Sequence, residues 1–193
     1  MEPARPRAAD RKNRHPLKAS GLQETLTPSF SNVSISAMAE TQHKHLAHLT
    51  AFDAEPMVFF TVVTAGRRPV LACAEAHEVL RGVWERSAPH NGWWVGDYLL
   101  MPDHVHFFAR AARNADPMRD WVQTWKSVSS HILTKRLGLD SPFWQEDYFD
   151  RFLRSGETYS EKWTYVEANP VRAGLAARPK DWPFRGRIHD LRF

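Results

Sequence analysis

The chain has 193 residues, of which 42% are hydrophobic and 25% are charged, with a formal net charge of +4 and a pI near 9.4. This composition is typical of one globular domain, and the single cysteine, Cys73, excludes an internal disulfide. The longest apolar runs are far too short to span a membrane, and the basic N-terminus lacks the apolar segment of a secretory signal. We therefore expect a cytoplasmic protein, whose basic balance indicates either a polyanionic partner or a solvated surface.

The first half of the chain predicts an extension followed by alternating strand and helix. Residues 1–50 are rich in Pro, Ser, Ala, Arg and His and lack sustained periodicity, which predicts a disordered N-terminal extension, with the folded domain over 51–193. The β-branched and aromatic run MVFFTVVT predicts a strand over 57–64. Apolar residues at helical spacing predict a helix over 71–88, closed by a turn at HNG.

The remaining segments predict a hairpin followed by helices. Residues 93–101 predict a strand, Pro-Asp a tight turn, and 104–110 the antiparallel partner strand. A helix is predicted over 116–137 and another over 157–168, ended by Asn169-Pro170. The inner side of the first of these helices is predicted to carry Trp121, Val122, Trp125, Val128, Ile132 and Leu133. The order β-α-β-β-α followed by more helix predicts an α+β fold, an antiparallel sheet covered by helices.

The segment LLMPDHVHFFAR places two histidines, His104 and His106, one residue apart in a predicted strand. Alternate side chains of a strand share a face, so both imidazoles could bind one metal ion. The alternative is a pair of core histidines that bond to backbone groups. Because TQHKHLAH contains the same spacing at His43 and His45, in a polar segment, spacing alone does not identify a site.

The segment ETYSEKWTYVEANPVRAGL contains a tyrosine off the apolar side of its predicted helix. Tyr159, Trp163 and Val166 form the apolar stripe, whereas Tyr165 lies roughly 120° away from it. Asn169 follows one turn later on the side of Tyr165. This arrangement indicates a functional tyrosine with an amide beside it, although Asn169 also fits as a helix-terminal residue before proline.

Taken together, YLLMPDHVHFFAR, WVQTWKS, FWQEDYFDRFLRSGETYSEKWTYVEANPVRAGL and DWPFRGRIHDL resemble the REP-associated tyrosine transposases, which belong to the single-tyrosine HUH (IS200-like) transposases. The resemblance runs from about residue 57 to the C-terminus. It implies a ferredoxin-like α+β nuclease domain that cleaves and transfers single-stranded DNA, with DNA hairpins of repetitive extragenic palindromes as partners. It also implies a bacterial, nucleoid-associated protein that is a monomer or a homodimer.

The resemblance also implies roles for individual residues. His104, His106 and Asn169 would hold Mg²⁺ or Mn²⁺, and Tyr165 would be the nucleophile that forms a 5′-phosphotyrosine. Some relatives have glutamine at the position of Asn169. Candidates for DNA contacts are Arg67, Arg68, Lys126 and Arg172, together with Trp125, which could instead pack in the core.

Two other functions stay open at this stage. One is a catalytically silent DNA hairpin-binding protein derived from such a nuclease, and the other is a small metal-dependent phosphodiesterase that acts on nucleotides. A covalent protein–DNA adduct would distinguish the transposase chemistry from both.

Overall fold

The computed structural model describes residues 55–191, apart from the side chain of Glu157. The predicted extension over 1–50 and the pair His43 and His45 lie outside the described residues. Within the described part of the chain, no helix combines the length and apolar character needed to cross a membrane.

The described chain forms an antiparallel sheet with helices on both faces. Its elements are β1 (Met57–Val63), α1 (Ala74–Glu85), α2 (Ser87–Asn91), β2 (Trp93–Leu100), β3 (His104–Ala111), α3 (Met118–Leu137), β4 (Phe149–Leu153), α4 (Gly156–Glu167), α5 (Asn169–Arg172) and β5 (Arg185–Arg187). The strand order is β4-β1-β3-β2-β5, and all neighbours are antiparallel. The β1-α1-β2-β3-α3-β4 succession with this order is ferredoxin-like, which confirms the predicted fold class.

The sheet separates two apolar cores. On one face, α1 and α3 pack against β1 and β3 through an aromatic cluster that includes Phe60 and Phe107, whose ring centroids lie 4.9 Å apart. On the other face, Phe59, Phe108 and Val166 form a smaller core with the C-terminal segment and α4. Because side chains alternate along β3, its two histidines point to this second face, beside α4.

The buried side of α3 differs from the predicted one at a single position. Val128 is 41% exposed, so its predicted inner placement is wrong, whereas Ser129 is fully buried. The Ser129 hydroxyl accepts a hydrogen bond of 3.0 Å from the Trp144 indole N–H, which explains a polar residue in this core. Trp125 is 1% exposed, as its packing interpretation expects.

Replacing Ser129 with alanine is expected to lower the free energy of unfolding by about 1–3 kcal/mol, because the buried Trp144 N–H loses its acceptor. Urea denaturation measures this change. The exposed Ser127 on the same helix provides the control, and Ser127→Ala is expected to change stability by less than about 0.5 kcal/mol. Equal stabilities of the two variants would contradict the assigned role of the hydroxyl.

The structure corrects several other local expectations and confirms one. The helix predicted over 71–88 is two helices, and the segment predicted as a turn is the end of α2, closed by Gly92 with φ 71°. The helix predicted over 157–168 is confirmed as α4, which ends directly before Asn169-Pro170, and a second short helix, α5, begins there, since proline fits the first turn of a helix. The strands β4 and β5 were not predicted.

Candidate active site

His104 and His106 share the face of the sheet that carries α4. Both are half-buried, and their ring centroids lie 4.7 Å apart. Val105 and Phe107 are fully buried on the opposite face. The predicted shared face is therefore confirmed, and two imidazoles converge at one place on the sheet.

Each imidazole is anchored through its Nδ1 atom. His104 Nδ1 donates to Asp103 Oδ1 over 2.6 Å, and the other carboxylate oxygen of Asp103 accepts from Arg67 over 3.1 Å. His106 Nδ1 lies 2.8 Å from the Thr61 hydroxyl, which faces it directly across the β1–β3 pairing. With Nδ1 of both rings engaged, Nε2 is left as the atom that can bind an ion.

The burial and the charges around the histidines suit two kinds of ligand, a metal ion and an anion. Burial lowers the pKa of His106 well below its ordinary value, and the nearby charges of His104, Lys162 and Arg172 lower it further. His106 is therefore neutral at physiological pH, which is the form that binds metal ions. Burial raises the pKa of the Asp103 carboxyl, but the hydrogen bonds and charges of His104 and Arg67 together outweigh it and leave the pKa below its ordinary value.

The helices α4 and α5 place Tyr165 and the cations Lys162 and Arg172 near this part of the sheet. Tyr165 is 55% exposed, and the Arg172 guanidinium lies 4.1 Å from its ring centroid. Arg172 also donates a hydrogen bond to Asn169 Oδ1. The structure thus brings together three of the predicted site residues, Tyr165, Asn169 and Arg172, at the end of α4 and in α5.

A continuous set of contacts joins this tyrosine cluster to the histidines. The Phe59 ring stacks on His106, with centroids 5.5 Å apart and planes at 20°. The Lys162 ammonium lies 4.6 Å from the Phe59 ring centroid and 5.8 Å from that of Tyr165. We call Phe59, His106, Lys162, Tyr165 and Arg172 the site cluster. Together with His104, whose ring lies beside that of His106, it places two imidazoles, an exposed phenol and two cations close together on one face.

The other residues predicted to contact DNA, Arg67, Arg68 and Lys126, lie outside the site cluster. Arg67 reaches the histidine pair through Asp103. Arg68 donates to the carbonyl oxygens of Ala65, Asp140 and Pro142, and Lys126 donates to those of Gln145 and Glu146. These bonds hold the segment between α3 and β4, and within residues 55–191 neither side chain contacts the site cluster. Their DNA contacts stay predictions.

Sequence reasoning missed four residues that support the site: Phe59, Thr61, Asp103 and Lys162. Two of them carried a local signal. Asp103 directly precedes His104, and Lys162 lies three residues before Tyr165, a spacing that places both on one side of a helix. Thr61 and Phe59 had no such signal, because only the register of β1 against β3 places them beside His106.

The residues present fit a divalent metal ion only if a ligand other than His, Cys, Asp or Glu takes part. Within residues 55–191, no three side chains of these four types are grouped to hold an ion. Two anchored imidazoles form half of such a site, and an amide oxygen is a suitable addition for Mn²⁺ or Mg²⁺. Asn169 Oδ1 accepts one bond from Arg172 and keeps a second lone pair, and its role as the third ligand stays a prediction.

Comparisons with known proteins identify the family and the fold. The family model described as "Transposase IS200 like" matches residues 56–169. The chain is 25% identical over 130 residues to the REP-associated tyrosine transposase of Escherichia coli K12, which covers 65% of this chain and 73% of that protein. A solved structure of a REP-associated tyrosine transposase bound to a REP hairpin has the same fold, with a TM-score of 0.57 and 20% identity over 72% of this chain and 82% of that chain.

Proposed function

This chain belongs to the IS200-like transposase family, and from that premise we propose that it is a metal-dependent single-stranded DNA endonuclease and strand transferase with Tyr165 as its nucleophile. The observation that carries the proposal is the site cluster, in which Lys162 and Phe59 connect an exposed tyrosine to the anchored histidine pair while Arg172 lies over the tyrosine ring. Packing alone gives no reason for a phenol that is 55% exposed to sit among cations.

In the proposed reaction, the Tyr165 hydroxyl attacks the phosphorus of a phosphodiester. A bond forms between Oη and phosphorus, the bond from phosphorus to O3′ breaks, and the phenolic proton is lost to solvent while O3′ gains one. The products are a 5′-phosphotyrosine and a free 3′-hydroxyl. Because the covalent bond conserves the phosphodiester, attack by a 3′-hydroxyl on the phosphotyrosine rejoins strands without a nucleotide cofactor.

A tyrosine hydroxyl with an ordinary pKa near 10 is a poor nucleophile at neutral pH, so the phosphate must be activated. When bound, Mg²⁺ or Mn²⁺ would neutralise phosphate charge and orient the phosphorus for in-line attack. His104, His106 and Asn169 are the residues proposed to hold it. Thr61 and Asp103 orient the imidazoles, and Arg172 lies where it can contact the strand beside the tyrosine.

We propose DNA hairpins with single-stranded flanks as the partner, by analogy with the REP hairpin bound in the structure of similar fold. Lys162 and Arg172 lie near His106, and Arg151 lies near Lys162. None of the three forms an ion pair with a carboxylate among the described residues, which favours a phosphate-bearing ligand there. The proposal includes a bacterial cytoplasmic, nucleoid-associated location and either a monomer or a homodimer.

The proposal is tested by incubating the purified protein with labelled single-stranded hairpins taken from beside its own gene, in Mg²⁺ or Mn²⁺. A covalent adduct on a denaturing gel, absent with EDTA, is the expected result. Binding without an adduct across all hairpins and both metals would instead identify the catalytically silent hairpin-binding protein.

Thr61→Val is expected to weaken Mn²⁺ binding by roughly 10- to 100-fold, because it removes the partner of His106 Nδ1 while keeping a β-branched side chain in β1. Calorimetric titration with Mn²⁺ measures the effect. Thr124→Val on the exposed side of α3 is the matched control and should bind Mn²⁺ like the wild type. Equal affinities of the two variants would contradict the role given to Thr61.

A further inference from the structure

Lys162 lies between the two halves of the site cluster. It stands on α4, three residues before Tyr165, and its ammonium approaches the ring centroids of Phe59 at 4.6 Å and Tyr165 at 5.8 Å. Phe59 in turn stacks on His106, whose pKa is lowered by the nearby charge of Lys162. The ammonium therefore lies beside both the phenol and one of the imidazoles.

The ammonium of Lys162 has no anionic partner in the structure. Within residues 55–191 it donates no hydrogen bond and forms no ion pair, although the side chain is only half-exposed. Burial lowers the pKa of Lys162. The guanidinium of Arg151, which lies on the same face of the sheet, lowers this pKa further. A partly desolvated cation beside other cations is unfavourable on its own and gains most from a bound anion.

Several other basic side chains near the sheet, though not Arg151, have partners within the chain. Arg67 binds Asp103, Arg185 binds Glu167 over 3.3 Å, and Arg172 donates to Asn169. Lys162 is therefore the lysine next to Tyr165 whose three N–H donors have no acceptor among the described residues. An ammonium acts as a compact point charge, which suits a non-bridging phosphate oxygen.

We propose that Lys162 binds a non-bridging oxygen of the phosphate that Tyr165 attacks. This inference rests on the proposed function and deepens it, since it adds a fixed positive charge where negative charge develops during attack. Preorganised cations at a reacting phosphate stabilise the transition state more than the ground state. Lys162 would therefore increase the rate of adduct formation as well as the affinity for DNA.

The test compares Lys162→Met with Lys135→Met, using a fluorescein-labelled DNA hairpin with single-stranded flanks. Lys135 is exposed at the end of α3, on the opposite face of the sheet, so both variants lose one charge and keep the aliphatic stem. Anisotropy titrations over a range of NaCl concentrations give the salt dependence of binding. Removing one phosphate contact from a single strand should reduce the slope of log K against log[salt] by about 0.7.

We expect this reduction for Lys162→Met only, with the slope restored in Lys162→Arg, which retains the charge. In Mg²⁺, the rate of adduct formation should fall roughly 10- to 100-fold in Lys162→Met and stay unchanged in Lys135→Met. Replacing the scissile phosphate by a methylphosphonate, which lacks one charged oxygen, should remove the difference between Lys162→Met and the wild type. Thermal unfolding of each variant confirms that it is folded.

The outcomes separate this inference from the proposed function. A salt slope and adduct rate for Lys162→Met equal to those of Lys135→Met would overturn the role of Lys162, with the transposase chemistry intact. A reduced slope with no adduct from any form of the protein would support the phosphate contact and overturn the proposed chemistry. Absence of DNA binding by the wild type would overturn both.

Discussion

Tyr165→Phe is expected to abolish the covalent protein–DNA adduct while leaving hairpin binding and stability nearly unchanged. The variant lacks only the attacking oxygen, and the phenyl ring retains its contact with the Arg172 guanidinium. Because Tyr165 is 55% exposed, the free energy of unfolding should change by less than about 0.5 kcal/mol. Loss of a nucleophile commonly lowers the rate by roughly 10³-fold or more. A denaturing gel and fluorescence anisotropy measure the two properties.

Tyr98→Phe provides the matched control for this experiment. Tyr98 lies on the opposite face of the sheet, where its hydroxyl is 2.8 Å from His77 Nε2, so the variant loses a hydroxyl far from the histidine pair. It should form the adduct at the wild-type rate. An adduct from Tyr165→Phe at the wild-type level would show that another side chain attacks the phosphate, and the assignment of Tyr165 would be wrong.

The central strands and long helices could be predicted from the sequence because their apolar patterns are strong. The two edge strands could not. In β4 only Leu153 is buried, and β5 has three residues, so neither shows the hydrophobic alternation that identifies a strand. Both form because a neighbouring strand offers backbone hydrogen bonds, which is a tertiary effect.

The site residues also divide into those that a local pattern predicts and those that only the tertiary structure places. The shared face of His104 and His106 and the position of Tyr165 off the apolar stripe follow from the periods of a strand and a helix. The partner of His106 depends on the pairing of Thr61 with it, which no local pattern encodes. Charge alone also does not reveal that Lys126 donates to two carbonyl oxygens of its own chain, and its contact with DNA stays a prediction.

The position of α4 depends on a buried carboxylate, Asp97 in β2. Asp97 is 4% exposed and accepts bonds from the Tyr159 hydroxyl at 2.5 Å and from Arg187 at 2.8 and 3.0 Å. It therefore joins β2 to α4 and to β5. Burial raises the pKa of Tyr159, and its hydrogen bond to Asp97 raises it further, so the hydroxyl remains a donor throughout the physiological range. Tyr159 lies six residues before Tyr165 on the same helix, so this contact helps to fix the position of the proposed nucleophile.

Asp97→Ala is expected to lower the free energy of unfolding by about 2–4 kcal/mol, because the Tyr159 hydroxyl loses its acceptor and the buried contact between α4 and the sheet is broken. About half of the Arg187 side chain is exposed, so water can solvate its guanidinium once the carboxylate is removed. The loss in the free energy of unfolding is therefore smaller than for a fully buried ion pair. Since small displacements of a reacting group slow catalysis strongly, the adduct rate should fall by roughly 10- to 100-fold.

Urea denaturation and the adduct assay measure both effects of Asp97→Ala, and Asp181→Ala is the matched control. Asp181 accepts two hydrogen bonds from Arg178 at 2.8 and 2.9 Å, but on the surface, so its loss should cost less than about 1 kcal/mol and leave the adduct rate unchanged. Asp97→Asn retains one oxygen for Tyr159 and should fall between the wild type and Asp97→Ala. Equal results for Asp97→Ala and Asp181→Ala in both measurements would show that the Asp97 carboxylate does not position α4. The position of Tyr165 would then depend on the apolar contacts of Val166 and Trp163 alone.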